Sequence, residues 1–161
     1  MNQELSFYPY LSPEEKDLLE RAMQKQSCRK AQVVHRHGDT CVGLIFVARG
    51  RLAFSILSEE GREITVFRAE KGESCILSAA FVLQSLDFES HITAEVPSEI
   101  AILPAPILSQ LMNRNPDVER LVYKQAVNQY SSVLRTMQQI LFLSLEKRLA
   151  TFLLEECQRR K

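Results

Sequence analysis

The sequence predicts an α+β fold, in which a β-sandwich or barrel is flanked by short helices and followed by one long helix. Between about residues 28 and 103, short runs of strand-forming residues alternate with turn residues at regular intervals, as in sandwiches and barrels. After Pro116, apolar side chains recur at steps of three and four residues, without a Gly or Pro, as far as residue 143. This second pattern predicts a helix of roughly 40 Å, which is longer than one small domain needs.

A short helix is predicted before the strands. Ser12 and Glu15 have the spacing of a capping box, and Pro13 occupies the first helical position, which is a common way for a helix to begin. Leu19 and Met23 belong to the apolar face of this helix.

The predicted strands are runs of apolar and β-branched residues that are bounded by turn residues. They fall at residues 31–35, 43–48, 52–57, 63–68, 88–94 and 99–103. The segment 77–83 interrupts this series. It is too apolar for an exposed loop, and we interpret it as a short helix.

The last third of the chain is predicted to be helical. Residues 106–112 form a short helix, and Asn115 and Pro116 begin the long one. Asp117 is suited to the positive end of the long helix dipole. Ser144 has the position of an N-cap for a further helix over residues 145–158.

The long helix has an apolar stripe. Between residues 125 and 145 the only charged residue is Arg135. An uncharged stripe of this length usually packs along a copy of itself, so we predict a homodimer about this helix. The stripe, which is the predicted dimer interface, consists of Tyr123, Ala126, Val127, Tyr130, Val133, Leu134, Met137, Ile140 and Leu141.

Composition limits the possible functions. Of the 161 residues, 45% are hydrophobic, which is enough for a core, and the net charge is zero, which argues against a broad nucleic-acid or acidic-membrane surface. The N-terminus has no signal-peptide pattern, and no segment is apolar enough to cross a membrane. We therefore expect a cytoplasmic protein without membrane contact. Free thiols are expected for the four separated cysteines, Cys28, Cys41, Cys75 and Cys157.

Several short motifs follow one another in an order found in one family. They are Gly38-Asp39, the run LIFVARGRL at 44–52, the hairpin tip EEGRE at 59–63, Gly72-Glu73, and Pro116-Asp117 at the start of the long helix. In this order they resemble the Crp/Fnr family of bacterial transcription regulators. The resemblance implies a cyclic-nucleotide-binding-like double-stranded β-helix, or jelly roll, that holds an effector.

The resemblance also implies a domain organisation. It divides the chain into an effector-sensing β-roll domain (1–116), a dimerisation helix (117–143) and the first helix of a C-terminal DNA-binding domain (144–161). In the family, a helix-turn-helix in that last domain binds operator DNA. We expect the helix-turn-helix to lie outside this chain.

The effector position departs from the cyclic-nucleotide branch of the family. In that branch, Gly-Glu and a later Arg followed by a small polar residue bind the ribose and phosphate. Gly72 and Glu73 match the first element, but Phe88 and Glu89 stand where the Arg and the small residue are expected. No Lys or Arg occurs from residue 72 to residue 113, whereas five acids do.

An anionic phosphate in a partly desolvated pocket needs a cation or several backbone donors. Val133 and Leu134 also stand where that branch has hydroxyl side chains. We therefore expect an effector that is apolar or cationic, or none, and no response to cyclic AMP. The predicted effector pocket consists of Gly72, Glu73, Cys75, Phe88, Glu89, Val133, Leu134 and Met137.

Two other chemistries are considered. His35 and His37 share one strand face and, with Cys41 or His91, have ligand types suited to a metal in a cupin-like enzyme. Surface histidines are the preferred interpretation, so no metal site and no catalytic residue are expected. A cyclic-nucleotide-binding-like signalling module without DNA binding is the third alternative.

Haem is the cofactor that the sequence leaves open. A carbon monoxide-sensing haem regulator related to the family has an axial Cys near the position of Cys75. It also has a His two residues later, where this chain has Leu77. We interpret Cys75 as a buried structural residue, since free Cys is commonly buried, and leave haem as an open alternative.

Overall fold

The computed structural model describes residues 4–36, 43–58, 60–76 and 89–159. A 3-10 turn over Tyr8–Tyr10 precedes the helices α1 (Pro13–Ala22), α2 (Ala105–Arg114), α3 (Pro116–Phe142) and α4 (Leu145–Arg159). The strands are β1 (Gln24–Cys28), β2 (Val33–Arg36), β3 (Leu44–Arg49), β4 (Arg51–Leu57), β5 (Glu63–Glu70), β6 (Ser74–Cys75), β7 (Glu89–Ala94) and β8 (Ser98–Leu103). The predicted helix at 77–83 and the turn at 37–39 lie outside the described residues.

The described strands form two four-stranded antiparallel sheets, which together we call the β-roll. Their strand orders are β1-β8-β3-β6 and β2-β7-β4-β5. This jelly-roll-like architecture, with short helices and one long helix, confirms the predicted fold class. The sequence does not predict β1, because its QKQSC segment has no apolar alternation. The strand lies at a sheet edge, where it pairs with β8 and leaves most of its side chains exposed or half-buried.

Two apolar cores lie on opposite faces of β3. Leu44 and Phe46 point to a core formed with α1, α2 and the first turns of α3. Ile45 and Val47 point to the core between the two sheets. Because successive strand residues alternate between faces, a strand covered on both sides must be apolar throughout. This explains the uninterrupted LIFV run, and it holds the helices against the β-roll.

The helices begin where the sequence predicts. Ser12 and Glu15 form the complete capping box at α1. At α3, the side chain of Asn115 accepts hydrogen bonds from the N–H groups of Asp117 (3.1 Å) and Val118 (3.4 Å). Within the described residues, no helix combines the length and apolar character needed to cross a membrane.

The apolar stripe of α3 is divided between two environments. Ala126 and Val133 are half-buried. Ala126 packs against the core between the helices and β3, and Val133 packs against the core between the two sheets. The other seven members are between 40% and 69% exposed. Six of these seven follow one another at steps of four, three, four, three and four residues, and we call them the apolar seam. The seam consists of Tyr123, Val127, Tyr130, Leu134, Met137 and Leu141.

Candidate functional site

A cavity of about 410 Å³ lies between the β-roll and α3. The turn after β5 and the start of β6 form one wall, and the middle of α3 forms the other. We call it the first cavity. Most of the described lining residues are of polar type, although their apolar atoms also contribute to the surface. They are Glu4, Ser6, Phe67, Arg68, Ala69, Gly72, Glu73, Ser74, Leu121, Lys124, Gln125, Asn128, Gln129 and Ser132.

The turn that carries Gly72 and Glu73 is held by its own hydrogen bonds. Gly72 has a φ of +86°, a left-handed conformation that Gly adopts without strain. Its N–H donates to the carbonyl of Val47 at 2.8 Å. The carboxylate of Glu73 accepts from the N–H of Glu70, also at 2.8 Å. Glu73 therefore helps to fix the shape of the cavity wall.

Two glutamines of α3 join the helix to β6. The side-chain amide of Gln129 donates to the carbonyl of Ser74 and accepts from the N–H of Ile76 at 3.1 Å. The amide of Gln125 donates to the same Ser74 carbonyl at 3.0 Å. The Gln129 amide thus pairs with the strand as a neighbouring strand would. Any movement of α3 away from the roll must break these bonds.

A third contact joins α3 to β5 two turns further along. The hydroxyl of Thr136 donates to the carbonyl of Val66 at 2.9 Å. Local sequence patterns do not single out Gln125, Gln129 and Thr136. The available signal is the recurrence of polar side chains on one face, at steps of four and seven residues, inside a largely uncharged helix.

The described wall of the first cavity carries balanced charge. Arg68 and Lys124 are cationic, and Glu4 and Glu73 are acidic. Part of the charge of Arg68 is offset, because its Nε lies 2.9 Å and 3.1 Å from the two carboxylate oxygens of Glu95. The sequence interpretation did not anticipate these cations, since they come from β5 and α3 and not from the cation-free segment 72–113.

The structure brings together only part of the predicted effector pocket. Gly72 and Glu73 line the first cavity, whereas Cys75 is 1% exposed in the core between the sheets. Val133 packs against that same core. Leu134 and Met137 belong to the apolar seam and are 47% and 50% exposed.

The remaining two pocket residues are not placed on the wall. Phe88 lies outside the described residues. The backbone of Glu89 begins β7, where it pairs with Leu57, and its side chain also lies outside the description. The pocket assignment as a whole stays a prediction.

One of the two histidines interpreted as surface residues is buried. His35 is only 9% exposed, so its interpretation as a surface residue is wrong; the strand β2 turns this side chain into the protein. The Nε2 atom of His91 lies 3.2 Å from a carboxylate oxygen of Glu63. His37 and Cys41 lie outside the described residues. Within the part of the chain that is described, no three His, Cys, Asp or Glu side chains are grouped to hold a metal ion.

The described cysteines are free thiols, as predicted. Cys28 and Cys75 are buried, and Cys157 is exposed. Burial raises the pKa of the Cys28 thiol, which lowers its thiolate fraction and its reactivity.

Comparison with known proteins agrees with the fold described above. The family model of the cyclic nucleotide-binding domain matches residues 25–115. A protein of Eubacterium rectale that is assigned to the Crp/Fnr family of transcriptional regulators has a crystal structure similar to this one. The two share 33% identity with a TM-score of 0.89, over 98% of this chain and 73% of that protein.

Two more distant structures have the same fold. FixK2 of Bradyrhizobium japonicum is 17% identical with a TM-score of 0.72, over 85% of this chain and 67% of that one. The c-di-GMP responsive global regulator CLP of Xanthomonas campestris is 19% identical with a TM-score of 0.69, over 88% and 70%. No curated protein sequence matches this chain. The domain match and the Eubacterium relative together show that this chain belongs to the Crp/Fnr family of transcription regulators and contains a cyclic nucleotide-binding domain.

Proposed function

We propose that this chain senses an effector in the first cavity and transmits its presence through α3 to a homodimer axis. One observation carries the proposal: the same helix lines the cavity and presents the apolar seam. Asn128 lies on the cavity wall, while Tyr130 and Leu134, within two turns of it, are 58% and 47% exposed. An effector that alters how α3 packs on the roll would change the geometry of the seam, and with it the relative population of dimer states.

The proposed effector is a small polar molecule that is uncharged or zwitterionic. The sequence alone favoured an apolar or cationic ligand, but the described wall contains amides, hydroxyls and equal numbers of cations and acids. Cyclic AMP is disfavoured because the two cations on the described wall, Arg68 and Lys124, are matched there by the acids Glu4 and Glu73, so the wall offers a phosphate no net positive charge.

We further propose that operator DNA is the partner of the whole regulator. The division into an effector domain (1–116), a dimerisation helix (117–143) and the first helix of a DNA-binding domain (144–161) fits the break between α3 and α4. The apolar side chains of α4, such as Leu149 at 55% and Phe152 at 48% exposure, are suited to packing against further parts of such a domain.

A regulatory role is preferred over a cupin-like enzyme or a haem sensor. The family to which the chain belongs consists of transcription regulators. The residues described here do not fit haem ligation by Cys75, because its thiol lies in the core between the sheets and lines neither of the two cavities described in this chain.

The test combines ligand binding with the oligomeric state. Candidate polar metabolites are screened by thermal shift, and each active compound is then examined by sedimentation with the wild type and with Asn128→Leu. This variant changes the cavity wall without removing the glutamine contacts to β6. The matched control is Gln138→Leu, which lies at an exposed position of α3 outside the cavity lining.

We expect the compound to bind Gln138→Leu but not Asn128→Leu. In the wild type, its binding should change the stability of the dimer. Equal binding by both variants would put the effector elsewhere. A wild-type chain that stays monomeric at micromolar concentration would contradict the coupling through α3.

A further inference from the structure

A second cavity, of about 330 Å³, lies where β5, α3 and α4 meet. Its volume is at the lower end of the range for small-molecule sites. It adjoins the first cavity, with which it shares Phe67, Arg68 and Ser132. The described lining consists of Thr65, Val66, Phe67, Arg68, Ser132, Arg135, Thr136, Gln139, Arg148 and Phe152.

The charge of this second cavity is of one sign. Arg68, Arg135 and Arg148 are on its described wall, one from each of the three elements, and no acidic side chain is among the lining residues. The chain as a whole has equal numbers of acids and bases, and the adjoining first cavity is balanced. Because Glu95 offsets part of the charge of Arg68, Arg135 and Arg148 supply most of the positive charge, which raises the local concentration of anions.

The donors of these arginines are only partly used. Both hydrogen bonds from Arg68 to Glu95 leave from Nε. Arg135 and Arg148 are exposed, and within the described residues neither lies at ion-pair distance from an acid. Guanidinium groups bind phosphate oxygens with paired, planar hydrogen bonds, and Gln139 adds an amide donor on the same wall.

We propose that the second cavity binds a small phosphate-bearing anion, at a site separate from the effector site of the first cavity. Because Arg135 belongs to α3 and Arg148 to α4, one bound anion would bridge the two helices across the Leu143–Ser144 break. Phosphate binding would thereby fix the direction of α4 relative to α3 and the β-roll. Phe152, which is 48% exposed on the same wall, offers an apolar surface to an organic group on the phosphate.

The experiment uses inorganic pyrophosphate as the probe, at constant ionic strength. Calorimetry is carried out on the wild type and on Arg135→Gln, Arg148→Gln and Lys124→Gln. The first two change only the second cavity, whereas Lys124 lines only the first cavity. Hydrogen exchange of α4, with and without pyrophosphate, reports the bridge between the helices.

We expect saturable binding that is weakened about ten- to a hundredfold in both arginine variants and unchanged in Lys124→Gln. We also expect slower hydrogen exchange in α4 of the wild type with pyrophosphate, and no such slowing in Arg148→Gln. Absence of binding at millimolar pyrophosphate would overturn the proposal. So would a loss in Lys124→Gln equal to that in the arginine variants, since this would assign the anion to the first cavity.

Discussion

The side-chain amide of Asn115 donates a hydrogen bond to the carboxylate of Glu15, with Nδ2 and Oε2 3.0 Å apart. The same carboxylate oxygen accepts from the N–H of Ser12 at 2.8 Å, as part of the capping box of α1. Asn115 is itself the N-cap of α3. The caps of two helices that are a hundred residues apart therefore share one carboxylate, which ties the start of the long helix to the N-terminal helix.

This relationship predicts a loss of stability in acid. Partial burial on its own raises the pKa of Glu15, but the hydrogen bonds from Ser12 and Asn115 and the charge of Arg114 outweigh it, so that the pKa lies below its ordinary value of 4.5. A carboxyl with a lowered pKa stabilises the folded chain above that ordinary value, and this contribution disappears as the pH falls through the lowered pKa. Urea unfolding between about pH 6 and pH 3 measures it.

The matched variants are Glu15→Gln and Glu14→Gln. Glu14 is exposed in the same turn of α1, so its replacement should leave the pH dependence close to that of the wild type. Glu15→Gln should make the unfolding free energy less dependent on pH in the acid range. An unchanged pH dependence in Glu15→Gln would show that the shared carboxylate does not stabilise the native chain.

The contrast between Ser12 and Asn115 illustrates what could be predicted from the sequence. The capping box is a local pattern of four residues, so it was predicted correctly. The bond from Asn115 to Glu15 depends on the packing of α1 against α2 and α3, and no local pattern encodes it. The strands β3 and β8, like the capping box, have a local signal, because their apolar runs reflect burial on both faces.

The candidate site was harder to predict because its polar contacts are not local. Gln125 and Gln129 have no recognisable function until β6 is placed beside them. Arg68 and Lys124 reach the first cavity from elements outside the segment that the family motif marks. Periodicity identifies the apolar stripe on α3. It does not specify which members of the stripe pack against the β-roll and which remain exposed, because that depends on where the β-roll lies.

The apolar seam should be the dimer interface. Leu134→Asp should shift the equilibrium from dimer to monomer, because it would bury an unpaired charge at the centre of the seam. Such a change costs about 3 kcal/mol or more, which corresponds to a loss of at least about a hundredfold in dimer affinity. Sedimentation equilibrium at micromolar concentration measures the change.

Ser131→Asp is the control for this prediction. Ser131 is exposed on α3 but lies outside the apolar seam, so the charge should leave the dimer largely intact. Val133 is unsuitable for this test, because it packs against the core between the sheets and its replacement by Asp would also destabilise the fold. Equal effects of Leu134→Asp and Ser131→Asp would argue against the seam.

Cyclic AMP should bind no better than adenosine. A charge-assisted hydrogen bond contributes about 1.5–3 kcal/mol, or roughly one to two powers of ten in affinity. Within the described wall of the first cavity, Arg68 is paired with Glu95, and Glu73 adds negative charge. Calorimetry with both ligands measures the ratio of their affinities. Sub-micromolar binding of cyclic AMP together with weak binding of adenosine would disprove the prediction.

Gln129→Leu should loosen α3 from β6. The variant removes the acceptor for the N–H of Ile76 and one of the two glutamine donors to the carbonyl of Ser74. An unsatisfied, part-buried N–H costs about 1–3 kcal/mol, only partly offset by the apolar side chain. The unfolding free energy should fall by about that amount, and the hydrogen exchange of the Ile76 amide should become faster.

The control is Gln138→Leu, at an exposed position of the same helix, which should change the unfolding free energy by less than about 0.5 kcal/mol. Wild-type stability and wild-type exchange at Ile76 in Gln129→Leu would mean that the glutamine contact does not hold the helix to the roll.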